Sequence, residues 1–168
     1  MNQPIFKGAC TALITPFTDN GIDLPAFERL IDSQIQSGIQ ALVVLGTTGE
    51  PPTMTPQEKK AAIQCCVSTA AGRVPIIAGA GSNNTAAAVE AAELARSLKA
   101  DAVLSVTPYY NKCTPKGLHE HYQAIASVGL PVIIYNVPGR TGLNITPPVL
   151  ESLADISGLV AVKEASGN

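Results

Sequence analysis

Short apolar runs alternate with stretches of helical period along most of the chain. The runs fall at residues 8–15, 41–45, 75–78, 102–106, 132–136 and 159–163. Several are apolar at consecutive positions, as in Leu42-Val43-Val44-Leu45 and Val132-Ile133-Ile134. A strand covered on both faces reads this way, whereas a half-exposed strand alternates. Between the runs, residues 25–37 carry Phe27, Leu30, Ile31 and Ile35 at helical spacing. Thr55-Pro56-Gln57-Glu58 reads as an N-cap, a proline in the first position and a glutamate reciprocal to the cap. It predicts a helix running to about Ala71 and stopping at Gly72. Residues 84–98, 116–127 and 146–154 complete the helical series. Gly38, Gly72 and Gly129 stand where glycine commonly ends a helix.

Strict strand–helix alternation implies a parallel sheet, doubly wound or closed into a barrel. The strand starts recur at roughly 30 residues, the size of one βαβ repeat. Polar segments follow several successive strands, at residues 46–50, 107–111, 136–142 and 163–168. A barrel gathers all of these at one face, whereas a doubly wound sheet concentrates function at one switch point. The polar segments after successive strands favour the barrel, so the expected class is α/β with a parallel barrel.

Composition narrows this picture. With 46% hydrophobic and 14% charged residues the chain can build a core, which excludes disorder and a coiled coil. A formal charge of −2 gives no footprint for nucleic acid. No apolar run approaches the ~20 residues of a membrane helix. The start Met1-Asn2-Gln3-Pro4 lacks a signal-peptide pattern, so a cytoplasmic protein is expected. Cys10, Cys65, Cys66 and Cys113 form no CxxC, which fits reduced thiols rather than disulfides or structural zinc.

Lys163 ends the run Leu159-Val160-Ala161-Val162. Partial desolvation at a strand end lowers a lysine pKa and makes the neutral amine nucleophilic toward a carbonyl. The alternative is a lysine that snorkels into solvent. Tyr135 ends the preceding strand; a phenol there relays protons or serves as a half-buried aromatic. Thr47 and Thr48, in Gly46-Thr47-Thr48-Gly49-Glu50, can hold a small carboxylate, or mark a plain strand-to-helix turn. The segment is no Walker loop, since it lacks the Gly-Lys-Ser/Thr ending. Arg140, in Pro138-Gly139-Arg140-Thr141-Gly142, can clamp a carboxylate or lie on the surface. Tyr109-Tyr110 suits packing, an oligomer contact or an active site. His119 and His121 lie two apart on a helix, on different faces, and read as surface residues rather than metal ligands. Glu164 faces away from Lys163 and receives no role, and no cluster has metal spacing.

Three motifs in order carry a resemblance: Gly46-Thr47-Thr48-Gly49-Glu50, Tyr135-Asn136-Val137-Pro138-Gly139-Arg140-Thr141-Gly142, and Val162-Lys163-Glu164-Ala165-Ser166-Gly167. With Thr11-Ala12-Leu13-Ile14-Thr15-Pro16-Phe17 at the start, the chain resembles the dihydrodipicolinate synthase family of pyruvate-dependent class I aldolases over essentially its whole length. The resemblance implies a TIM (β/α)8 barrel, a homotetramer built from dimers, and condensation of pyruvate with L-aspartate 4-semialdehyde in lysine and diaminopimelate biosynthesis. Such a barrel takes about 250 residues, so the 168 residues are expected to hold only about the first six strands of a single domain, 1–168, incomplete at its C-terminus. It implies Lys163 as the Schiff-base lysine and Tyr135 as the proton relay. Thr47 and Tyr110 are implied as relay partners, Tyr110 reaching in from a neighbouring subunit. Thr47 and Thr48 would bind the pyruvate carboxylate and Arg140 that of the semialdehyde. No metal or organic cofactor is implied, because the protonated imine is itself the electron sink.

The alternatives within the superfamily are N-acetylneuraminate lyase and 2-keto-3-deoxy sugar-acid aldolases, which lack an arginine in the loop of Arg140. A reading of another class is an inactive truncated fragment or a non-catalytic partner subunit, suggested by the length. Asn83 and Tyr109 match the lysine site of feedback-sensitive members. Pro51, Pro56, Lys59 and Ala87 stand where those carry Ser, His, His and Glu, so weak or absent inhibition by lysine is expected.

Overall fold

The computed structural model describes residues 4–167. The start Met1-Asn2-Gln3 and the closing Asn168 of the last polar segment lie outside the described residues. The chain divides into two compact units. One runs to Gly79 and includes Leu94–Ala102; the other holds Ala80–Glu93 and everything from Val103 on.

In the first unit, β1 (Cys10–Ala12) is followed by two short strands, β2 (Phe17–Thr18) and β3 (Gly21–Ile22). These two form an antiparallel hairpin whose turn, Asp19-Asn20, was not foreseen, although Asn-Gly at residues 20–21 is a turn signal. Then come α1 (Leu24–Gln36), β4 (Ala41–Val44), α2 (Pro56–Ala70) and β5 (Ile76–Gly79). β1, β4 and β5 pair in parallel, Cys10 with Ala41 and Leu42 with Ile76. All four residues of β4 are buried, as its unbroken apolar run requires. Helix α1 turns Phe27 and Ile31 inward and packs on α2, whose Ala62, Ile63 and Cys66 are buried. Each large apolar side chain so buried contributes about 1.5–3 kcal/mol.

Local chemistry sets the helix ends. The N-cap of α1 is Asp23, which accepts from Ala26 N at 2.9 Å. At α2 the expected reciprocal cap is present. Thr55 Oγ1 accepts from Glu58 N at 3.2 Å and Glu58 Oε2 accepts from Thr55 N at 2.8 Å. The helix ends a residue earlier than expected, with Ala71 itself in the left-handed region at φ 48° before Gly72. At Gly79 a Cβ would stand 2.0 Å from Leu45 O, so only glycine lets β5 pass under the end of β4.

Helix α3 (Thr85–Ser97) contributes to both units, and Asn84 Oδ1 accepts from Ala86 N at its start. The second unit continues with β6 (Ala102–Val106), α4 (Pro115–Ala126), β7 (Val132–Asn136), α5 (Pro138–Thr141), α6 (Pro147–Glu151) and β8 (Leu159–Glu164). β6, β7 and β8 pair in parallel, Val103 with Val132 and Tyr135 with Lys163. Helix α4 buries Leu118, Tyr122 and Ile125, and the Tyr122 hydroxyl donates to Ser105 O of β6 at 3.1 Å.

Two expectations need correction here. Helix α6 stops at Glu151 rather than continuing to 154. Beyond it the bonds shorten to i→i−3, as from Leu153 N to Leu150 O and Ile156 N to Leu153 O, which turns Leu153 and Ile156 into the core. Of the two histidines read as surface residues, His119 is partly exposed but His121 is only 3% exposed. Position 121 lies three after Leu118 and four before Ile125, on the buried stripe of α4. Among the described residues no helix is long and apolar enough to cross a membrane.

Candidate active site

The site is built on a register shift between β7 and β8. Val132 faces Leu159, but Ile133 faces Ala161, so Val160 is an extra residue in β8. A bulge of this kind re-aims every side chain beyond it. Downstream, Tyr135 partners Lys163 and Asn136 partners Glu164. An unshifted pairing would set Lys163 opposite Asn136, on the other face from Tyr135.

In the observed register Lys163 Nζ stands 4.2 Å from the centroid of the Tyr135 ring. That is within the ~6 Å over which an aromatic face attracts an ammonium. Tyr135 is buried at 8% exposure, whereas Lys163 is open to solvent. The amine and the ring of the phenol thus stand side by side.

Behind this pair lies a network that the sequence reading missed. Asn136, 1% exposed, donates from Nδ2 to Asn144 Oδ1 and to Glu164 Oε2, both at 2.9 Å. Its Oδ1 accepts from Ile145 N at 3.0 Å, and its carbonyl accepts from Ala165 N at 2.9 Å. Glu164 Oε1 accepts from Ser166 N at 2.6 Å. The Asn136 amide, and after it Ser166, holds the Glu164 carboxyl below the usual carboxylate range. A cleft of about 260 Å³, lined in part by Asn136, Glu164 and Leu150, lies against this network. Side chains alternate across a strand, so it opens on the face of β8 opposite Lys163. The available signal was two polar residues, Asn136 and Glu164, each directly following a candidate catalytic residue at the end of an apolar run.

Arg140 is exposed in the last turn of α5, a single helical turn where a tight loop was expected. Its loop returns through Ile145 and Asn144, which the Asn136 side chain ties to the strand end. Tyr110 is 91% exposed at φ 71°, and Tyr109 is 37% exposed. Asn83 O accepts from Asn111 Nδ2 at 3.2 Å. In the first unit, Thr47 and Thr48 are exposed on a 3-10 turn, Thr47–Gly49. Thr15 Oγ1 pins that turn by donating to Gly49 O at 2.8 Å. The structure thus brings Lys163 and Tyr135 together, and Thr47, Thr48, Tyr110 and Arg140 are exposed residues.

Comparison with known proteins gives one consistent relationship. Residues 5–168 match the dihydrodipicolinate synthetase family. The chain is 53% identical to a 4-hydroxy-tetrahydrodipicolinate synthase of Acetivibrio thermocellus, over 100% of this chain and 58% of that protein. A dihydrodipicolinate synthase structure from Thermotoga maritima superposes with a TM-score of 0.95 at 41% identity, covering 98% of this chain and 57% of that one. The Acinetobacter baumannii enzyme, solved in complex with pyruvate, gives a TM-score of 0.93 at 44% identity, with 96% and 56% covered. The chain thus spans a little over half the length of the relatives it matches. Its parallel strands alternating with helices are those of the (β/α)8 barrel class expected from the sequence, of which it carries the first six.

Proposed function

The chain belongs to the dihydrodipicolinate synthetase family, and on that premise we propose that it performs the Schiff-base chemistry of a lyase condensing pyruvate with L-aspartate 4-semialdehyde. The observation that supports this most directly is Lys163 Nζ at 4.2 Å over the Tyr135 ring. In this reading the neutral amine adds to the keto carbon of pyruvate, and loss of water gives an imine to Lys163. The imine draws electrons from the methyl group, a proton leaves, and an enamine forms. The enamine carbon attacks the aldehyde carbon, and the aldehyde oxygen takes a proton to become a hydroxyl. Tyr135 moves protons at the amine, with Thr47 and Tyr110 as its relay partners. Thr47 and Thr48 hold the pyruvate carboxylate and Arg140 that of the semialdehyde, whose planar acceptor suits a guanidinium fork.

No organic cofactor or metal takes part in this scheme. We further place the activity in the cytoplasm, in keeping with four cysteines that form no disulfide among the described residues, and in a dimer of dimers. The 91% exposure of Tyr110 suits a residue that completes a neighbour's site. Borohydride reduction in the presence of pyruvate tests the reading. One reduced pyruvyl group on Lys163, found by peptide mass mapping, is the expected result. A folded chain that gains no such mass, or gains it at another lysine, refutes it.

A further inference from the structure

Asn136 and Glu164 take no part in the proposed chemistry, yet each directly follows a residue that does, and the two are register partners across β7 and β8. Two pairings compete at this strand end. In the observed one, the bulge at Val160 puts Lys163 and Tyr135 on one face and Glu164 beside Asn136 on the other. In the unshifted one, Lys163 would stand beside Asn136 and lose the Tyr135 ring.

Asn136 discriminates between them. It is 1% exposed, so each hydrogen of its amide needs an acceptor. One goes to Asn144 Oδ1 and the other to Glu164 Oε2. Its Oδ1 is already used by Ile145 N. A lysine ammonium carries donors only. The unshifted pairing would therefore leave a buried N–H without a partner and bring a cation against it.

We infer that Asn136 and Glu164 are positioning residues: their hydrogen bond selects the bulged register that sets Lys163 beside Tyr135. The same side chain ties the Arg140 loop to the end of β7 through Asn144 and Ile145, so one residue orders both halves of the proposed substrate site. The inference rests on the Schiff-base reading for its catalytic consequence but not for its geometry.

The test is an exchange of donor and acceptor. Asn136→Asp puts two carboxylates where 2.9 Å now separates an amide from a carboxylate. Adding Glu164→Gln restores a hydrogen bond, with the donor moved to β8. A misplacement near 1 Å can cost on the order of 100-fold in rate. Borohydride trapping of pyruvate on Lys163 should thus slow by about 10- to 100-fold in Asn136→Asp and return to within about threefold of the parent in the double variant. A single variant that traps at the parent rate, or a double variant no faster than the single one, overturns the inference.

A second readout needs no pyruvate. The Tyr135 ring should shift the Lys163 Hε resonances upfield in the parent and the double variant and release them in Asn136→Asp. A shift that persists in Asn136→Asp overturns the positioning role even if pyruvate fails to add. Failure of the parent to trap pyruvate, with the ring shift behaving as expected, refutes the Schiff-base reading alone.

Discussion

His121 offers the sharpest test of the packing in the second unit. Its Nδ1 lies 2.9 Å from Thr85 Oγ1, and its Nε2 has no hydrogen-bond partner among the described residues. Its ring meets Tyr122 edge-on, with centroids 5.4 Å apart. Burial holds its pKa below the ordinary 6.5. Tyr122 and Cys113 supply no compensating charge, because burial pushes both groups up and keeps them neutral. As pH falls through 6.5 the unfolded chain takes up a proton that the folded chain refuses. The unfolded state then binds more protons, so stability falls with falling pH, by at most about 1.4 kcal/mol per pH unit. This contribution is full above pH 6.5 and is lost toward the lower folded pKa.

His121→Phe keeps a ring against Tyr122 and removes both nitrogens. Losing the bond to Thr85 costs about 0.5–1.5 kcal/mol, since the exposed threonine returns to water. Removing an unsatisfied buried nitrogen recovers about 1–3 kcal/mol. The variant should be neutral to about 2 kcal/mol more stable at pH 7, a rise in Tm of up to several degrees at roughly 2–4 °C per kcal/mol. Urea unfolding followed by circular dichroism between pH 5.5 and 7.5 measures both effects. The parent should show the slope and His121→Phe should not. A slope that survives in His121→Phe refutes the reasoning.

Two further outcomes follow from local contacts. Thr55→Ala removes the reciprocal cap of α2 and should cost about 1 kcal/mol in urea unfolding. The Thr55 backbone and hydroxyl hold the Glu58 carboxyl below 4.5, so the stability it adds is present above pH 4.5 and lost as pH falls through the folded value. Acid titration of Thr55→Ala should accordingly be flatter than that of the parent. Arg140→Ala should leave the trapped pyruvate adduct unchanged. It should raise the KM for the semialdehyde roughly 10- to 100-fold, the worth of a charge-assisted bond pair. An equal loss of pyruvate trapping would show that Arg140 serves the first substrate instead.

What was legible in the sequence was local or periodic. The continuous apolar runs gave the buried strands β4 and β7, and Thr55-Pro56-Gln57-Glu58 gave a cap that the structure reproduces bond for bond. Features that depend on a partner several elements away were hidden. The burial of His121 needs the knowledge that α4 turns position 121 inward with Leu118 and Ile125. The early end of α6 follows from Leu153 and Ile156 finding the core, which propensity along residues 146–154 does not report. For Lys163 the sequence leaves burial and exposure both open, because a strand end reads the same whether or not another element covers it.

The register of β8 shows why the arrangement of the candidate residues could not be derived from the sequence. Counting alternation along Leu159–Glu164 puts Leu159, Ala161 and Lys163 on one face within the strand itself. It does not say which face of β7 they share. With Val132 opposite Leu159, simple continuation would carry Lys163 away from Tyr135. The extra residue at Val160 reverses that outcome, and nothing in an apolar run distinguishes a bulged valine from a paired one. The information resides instead in the polar residues that follow: a buried amide with two hydrogens to place, and a carboxylate one position beyond the lysine. Hydrogen-bond satisfaction decides the register, and the register decides whether the amine and the phenol meet. On the proposed reading Glu164, which faces away from Lys163, acts through the register it selects.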